Sequence, residues 1–460
     1  MLARRRFEPI LSMRLLAIML LIPLLADCGT LEVGIDSTAA PTLGASAPIP
    51  TEPVHNAGSQ TNGHSSSPDI SADGRHVVFS SAADNLVPGD TNQAADIFVY
   101  DRETRTTELI SVTEDGAPAN NASGEPGISA NGRWVVFSSI ATNLVAEDKN
   151  GLLDIFLHDR ETGSTVLVSE ALDGGSGTMM SMGPSISANG RWVSFTSFAD
   201  NLVPRTDEHT GADTADTNDR GDIFVYDRLG GGIRRVSLSS EGEQGNHNSG
   251  FSGISADGRW AVFWSLADNL VPGAGRGIYL RDRATGTTHW IADGQAPTIS
   301  PDGRWIGFLS VLSDLAPGDP LCAVLHDRQA DTVTVLGAYA QGGIDGAPSE
   351  AVRFSPDNAW LTFQSTFRSP DSMGDGGEWG QQVWLREQES GTLTLISVAP
   401  DGSPGNSISA SASLSSGGRW IAYQSLADNL VAGHSNGYMD IFVHDRETGV
   451  TEVVTNATPE

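Results

Sequence analysis

Three loops of this 460-residue chain carry the pattern Asp-x-Asn-x-x-x-Asp. They hold Asp90, Asn92 and Asp96; Asp148, Asn150 and Asp154; and Asp216, Asn218 and Asp222. A fourth version reads His434, Asn436 and Asp440, with histidine at the first position. Alternating oxygen-bearing side chains around a turn suit a calcium ion, which takes roughly six to eight oxygen ligands. Two Asp and one Asn supply only part of that shell, so carbonyls or water must complete it. The pattern is shorter than an EF-hand loop and lacks its bidentate Glu. Asp and Asn also cap tight turns through their own side chains, and the spacing favours that structural role. Calcium is the one candidate cofactor.

Other motifs carry less chemistry. Gly433-His434-Ser435-Asn436-Gly437 matches the nucleophile-elbow pattern, but that mechanism needs a strand, a sharp turn and then a helix. Here a β loop follows. The Ser-x-Asp-Gly-Arg-Trp turns are similar to the Asp-box of sialidases, with a different spacing. A glycosidase also needs a distinct carboxylate pair, and none stands out among so many repeated acids. No catalytic residue is assigned. Trp134, Trp192, Trp260, Trp305, Trp360 and Trp420 share one position in a repeated unit. Sugar stacking is one use for them, but their repetition favours packing between units. Two segments break the repeat: the acidic stretch 205–221, and 367–382 with Met373, Glu378 and Trp379. An aromatic in a Gly-rich loop suits partner contact, and a tolerated surface insertion is the alternative.

The elements that position these residues come from an internal repeat, the first thing to seek in a long chain. Ile70-Ser71-Ala72-Asp73-Gly74-Arg75 recurs around Gly132, Gly190, Gly258 and Gly303, with degenerate copies around Asn358 and Gly418. Each copy has the same order. A short strand leads into the Asp-Gly or Asn-Gly turn, a strong hairpin signal. A second, nearly continuous apolar strand follows, such as Trp134-Val135-Val136-Phe137-Ser138. Such a run is expected when both sheet faces are covered. Then come the polar loop, a third strand such as the one starting at Asp96, and a fourth after a Thr-Gly turn. No segment beyond the N-terminus shows helical periodicity. Four antiparallel strands repeated seven times predict an all-β fold, a seven-bladed β-propeller spanning 53–456. Stacking in a ring covers the faces that one blade cannot bury alone.

Ser300-Pro301-Asp302-Gly303-Arg304-Trp305 and the Ser-Ala-Asp-Gly-Arg copies resemble the WD40-like repeat of TolB-type propellers. The resemblance implies the fold and is weak for function. TolB itself carries an α/β domain before its propeller. Residues 29–52 leave no room for one, so the resemblance is to the propeller family and not to TolB.

The N-terminus reads as an export signal over residues 1–28. Arg4, Arg5, Arg6 and Arg14 precede a short apolar run, too short to span a bilayer comfortably. It ends Leu24-Leu25-Ala26-Asp27-Cys28-Gly29, which resembles a lipoprotein lipobox, with Asp27 a departure from the small residue expected there. Lipidation of Cys28 is the expectation, and an ordinary secreted protein or an uncleaved anchor is the alternative. Residues 29–52, rich in Ala, Pro, Thr and Ser, read as a flexible linker. Cys322 then stands alone in a strand-like run, where a buried inert thiol is expected.

A net charge of −30 disfavours nucleic acid and anionic membranes, which need basic surface. The chain is thus expected to meet a membrane only through its lipid anchor. All but one of its 27 basic residues are arginine. The expected protein is a monomeric, non-catalytic scaffold in the cell envelope that binds an envelope protein or polymer. The alternatives are a hydrolase or lyase working in the central funnel, and a calcium-stabilised surface protein.

Overall fold

The computed structural model describes residues 59–204, 216–311, 321–338, 352–365 and 381–457. They form seven four-stranded antiparallel sheets. The blades span 65–109, 123–167, 181–235, 249–292, 295–338, 352–395 and 409–453. The seven-bladed propeller expected from the repeats is therefore the fold observed. Within each sheet the strands lie in sequence order. The only helical element among the described residues is a single 3-10 turn, Ser416–Gly418.

Burial explains the order. In blade 1 the second strand, His76–Ser81, and the third, Asp96–Asp101, are buried almost throughout. The fourth, Thr106–Leu109, alternates exposed and half-buried residues. The core lies between blades rather than within them. One cluster joins Val78, Ile97 and Val99 of blade 1 to Val135, Phe137 and Phe156 of blade 2. Blades also pair an aromatic ring from the second strand with one from the third, as Phe137 with Phe156 at 5.7 Å and Phe195 with Phe224 at 5.8 Å. A single blade would leave both faces wet, so the ring is the folding unit.

The Ser-Ala-Asp-Gly-Arg turn is held by its own side chains. The Ser71 hydroxyl donates to Asp73 and accepts the His76 amide at 2.9 Å, while Asp73 accepts the Arg75 amide at 2.9 Å. Glycine closes the turn for two reasons. Gly190 has φ +67°, and a Cβ there would lie 2.5 Å from Cδ1 of Trp134 in the preceding blade. The tryptophans thus pack between blades. His76 fills that position in blade 1, against Gly132.

The ring closes through backbone and side chains together. Ser59–Gln60 pairs antiparallel with Asn456–Ala457 outside the blades. Ser65 donates its amide to the Met439 carbonyl at 2.7 Å, and Ser416 donates to the Ala72 carbonyl at 2.9 Å. The blades follow one another along the chain, and none borrows a strand from the opposite terminus.

Candidate functional site

The first strand of every blade faces a central channel of about 280 Å³. Six of these strands carry a defined irregularity. Pairing with the second strand shifts register between Ser66 and Asp69, Gly124 and Gly127, Met182 and Ser185, Gly250 and Ser252, and Ala410 and Ser413. A residue inside each shift has positive φ: Ser67 at 56°, Glu125 at 53°, Gly183 at 61°, Phe251 at 51° and Ser411 at 51°. Blade 5 repeats this at Ala296, also 51°. Left-handed backbone is uncommon for non-glycine residues and a genuine outlier for a bulky one such as Phe251. A bulge in an edge strand re-aims side chains, and here it does so at one level around the channel.

Sequence analysis missed this ring, although the signal was present. Pro68, Pro126, Pro184 and Pro297 each stand two residues before the Ile that opens the repeated turn. Proline inside a strand is confined to edges and bulges because it cannot donate to the ladder. Some bulge amides are taken by side chains: Ser67 donates to Gln424 of blade 7 at 2.8 Å, and Gly183 to Glu125 of blade 2 at 2.9 Å.

Two carboxylates reach the channel wall among the described residues that line it. Asp69 accepts the Ile128 amide at 2.9 Å, the Ile70 amide at 3.0 Å and the Ser413 hydroxyl at 2.5 Å. Glu125 accepts the Ser138 hydroxyl at 3.1 Å besides the Gly183 amide. Asp69 joins blades 1, 2 and 7, and Glu125 joins blades 2 and 3 through its Oε2. No His or Cys is among these lining residues, and Arg353, Phe251 and Phe354 are among the large groups offered.

The acidic loops lie between the second and third strands, away from the channel lining. Their last aspartates are fully buried. Asp96 accepts the Ser111 hydroxyl at 2.5 Å and the Asn92 amide at 2.6 Å. Asp154 accepts Ser169 at 2.7 Å and Asn150 at 2.8 Å. Asp222 accepts Ser237 and Asn218. Burial pushes the carboxyls of Asp96 and Asp222 up to about 7 and that of Asp154 to about 6, and the first aspartate of each loop adds to the rise. The asparagines act as clamps. Asn92, Asn150 and Asn218 also donate to carbonyls of the following linker, Ala119, Gly177 and Gly245, at 2.8, 3.0 and 2.7 Å. The Asn92 oxygen accepts the Ala94 amide at 2.8 Å. The structure thus brings two aspartates together in each loop and turns the asparagine to bind the next linker.

Other sequence-based candidates fall as follows. Ser435 sits in an exposed loop followed by the strand Asp440–Asp445, so the geometry of a nucleophile elbow does not form. Cys322 is buried at 1% exposure, and burial raises its thiol pKa. Cys28, Met373, Glu378, Trp379 and residues 205–215 lie outside the described residues. No described helix is long and apolar enough to cross a membrane.

No family model matches the sequence, and no curated protein matches it. Solved structures do. TolB from Acinetobacter baumannii is 14% identical, with 73% of this chain and 67% of that chain covered and a TM-score of 0.39. An oligogalacturonate lyase from Vibrio parahaemolyticus is 10% identical, over 87% and 91%, with a TM-score of 0.47. A prolyl endopeptidase is 12% identical, over 86% of this chain and 50% of that one, with a TM-score of 0.50. At such identities the likeness is one of fold alone. The β-propeller fold is shared by proteins of different activity.

Proposed function

We propose that this protein is a non-catalytic β-propeller that binds another protein of the cell envelope through the bulged end of its channel. The carrying observation is how the channel's acids are used. Asp69 gives both oxygens, and Glu125 its Oε2, to backbone amides and serine hydroxyls of their own and neighbouring blades. A general base must reach a substrate proton, and a nucleophile needs an activating base. The described lining holds no His or Cys to act beside these acids. It offers Phe251, Phe354 and Arg353, which are types that anchor protein interfaces. The basic and apolar N-terminus with Cys28 supports export and a lipid anchor, and residues 29–52 would give the ring reach from the membrane.

A crosslinking pull-down from envelope extract tests this reading, with the full chain, an F251A variant and a chain lacking 367–382 as baits. The expected result is one protein enriched by the parent and lost with F251A. Loss only with the loop deletion would move the contact to that loop and its Met373, Glu378 and Trp379. No enrichment by any bait would sink the scaffold reading and favour a funnel enzyme. Palmitate labelling that survives C28A would sink the anchor.

A further inference from the structure

The acidic loops form a series of variants inside one chain. Strand register aligns them. Asp96, Asp154, Asp222 and Asp440 pair with Ser81, Ser139, Ser197 and Ser425, and Gly277 pairs with Ser265 at the same place in blade 4. On the fourth strand, Leu109, Leu167, Arg235 and Val453 occupy one equivalent position, each opposite a third-strand Phe.

Charge is matched differently in each described copy. In blade 3, Arg235 lies against both acids, 3.3 Å from Asp216 and 3.6 Å from Asp222, with side chains no more than 5% exposed. In blade 7, His434 replaces the first acid and meets Asp440 at 2.9 Å. Blade 4 has Ala274 and Gly277 where blade 1 has Asp90 and Asp96. There Tyr279 replaces the Phe, and its hydroxyl lies within donating distance of the carbonyls of Gly275 and Ala267. Blades 1 and 2 keep both acids and have leucine where blade 3 has arginine.

The first acids of those two blades also keep carboxylate oxygens that no donor reaches. Asp90 is 7% exposed, and neither of its carboxylate oxygens has a hydrogen-bond partner. Asp148 is 1% exposed; its Oδ1 accepts the Ser176 hydroxyl at 3.3 Å and the Asn150 amide at 3.4 Å, and its Oδ2 has no partner. The equivalent pair in blade 3, Asp216 and Asp222, stand 3.3 and 3.6 Å from one guanidinium, which sets how near the two acids of a loop lie. A buried, unpaired carboxylate is costly, and two together cost more.

We propose that blades 1 and 2 each bind one calcium ion, held between Asp90 and Asp96 and between Asp148 and Asp154, where Arg235 stands in blade 3. Oxygen-only ligands and an irregular loop suit a hard cation of flexible geometry, which is Ca²⁺ rather than Mg²⁺. Among the described residues no three His, Cys, Asp or Glu side chains converge, so carbonyl or water oxygens complete each shell. The asparagine of each loop ties the site to the linker of the next blade, so the ion braces two blades at once. This proposal stands apart from the partner-binding reading, because counting ions requires no partner.

The test is calcium stoichiometry of the chelator-treated full chain, by calorimetry and by terbium luminescence, with Mg²⁺ as control. The expected counts are two ions for the parent, one for D90N or D148N, none for the double variant and three for R235L. The thermal midpoint of the parent should rise with Ca²⁺ and fall back with EDTA. Circular dichroism confirms that each variant is folded before its ions are counted. A folded parent that binds no Ca²⁺ or Tb³⁺ would show that protons balance these acids and overturn the proposal. So would a count that D90N and D148N leave unchanged, or a folded R235L that gains no ion.

Discussion

Arg102 of blade 1 lies over the indole of Trp420 in blade 7, its guanidinium carbon 3.6 Å from the ring centroid. Glu452, also of blade 7, holds the same guanidinium at 2.6 Å. The same stack recurs between sequential blades: Arg228 over Trp134 at 3.9 Å, Arg328 over Trp260 at 3.7 Å and Arg446 over Trp360 at 4.2 Å. The junction between first and last blades is therefore built like the others. Indoles are also capped from their own blade, as Trp420 is by Arg419 at 4.6 Å. Arginine suits this sandwich because its planar guanidinium stacks while its edge still donates hydrogen bonds.

Replacing the partly buried Trp420 with Ala should cost about 2–3 kcal/mol, below the range for a fully buried aromatic. W134A should cost a similar amount, since both indoles make the same junction. Urea unfolding followed by fluorescence measures both. A loss below ~1 kcal/mol for W420A alone would mean that the ring does not close as described.

Two glycines make a matched pair. Gly190 has φ +67°, and a Cβ on it would stand 2.5 Å from Cδ1 of Trp134, whereas Gly163 has φ +73° and nothing within 4 Å of that position. G163A should cost only the left-handed backbone penalty, ~1–2 kcal/mol. G190A adds a steric clash and should cost clearly more. Equal losses would show that Trp134 yields freely.

Acid should weaken the blades through one set of ion pairs. Arg75, Arg191, Arg259 and Arg304 grip Asp101, Asp227, Asp282 and Asp327 at 2.7, 2.7, 2.7 and 2.5 Å. These hydrogen bonds hold the four carboxyls down at about 2, from an ordinary 3.8. A depressed folded value means that the stabilisation is present above 3.8 and is lost as pH falls toward 2. Denaturation midpoints should therefore drop between pH 4 and 2, and D282N should flatten that drop. An unchanged slope in D282N would assign acid sensitivity elsewhere.

Cys322 should resist alkylation in the folded protein. Its thiol is 1% exposed, and burial raises its pKa, so little thiolate is presented. Peptide mapping after iodoacetamide treatment should find Cys322 labelled only once denaturant is added. Rapid labelling of the native chain would place this strand at a mobile edge.

Much of the architecture was legible locally. The turn sequence Ser71 to Arg75 encodes its own hydrogen bonds, and glycine marks where the backbone turns left-handed. Seven copies fix the blade number, because a unit with two apolar faces must stack. The sites were less legible. The pattern Asp90, Asn92, Asp96 suggested three converging ligands, but Asn92 donates both to Asp96 and to the next linker, a partner that sequence spacing cannot reveal. The relation of Arg235 to Asp216 and Asp222 depends on a fourth strand folding back beside the third. The bulges at Glu125 and Phe251 arise where an edge strand must slip register to line a channel. Local chemistry is written in neighbouring residues, and the sequence by itself determined the turns, the strands and the blade count. Only the tertiary structure decided which buried acids meet an arginine on the adjacent strand and which meet a neighbouring blade, because those partners converge only once strands and blades are packed together.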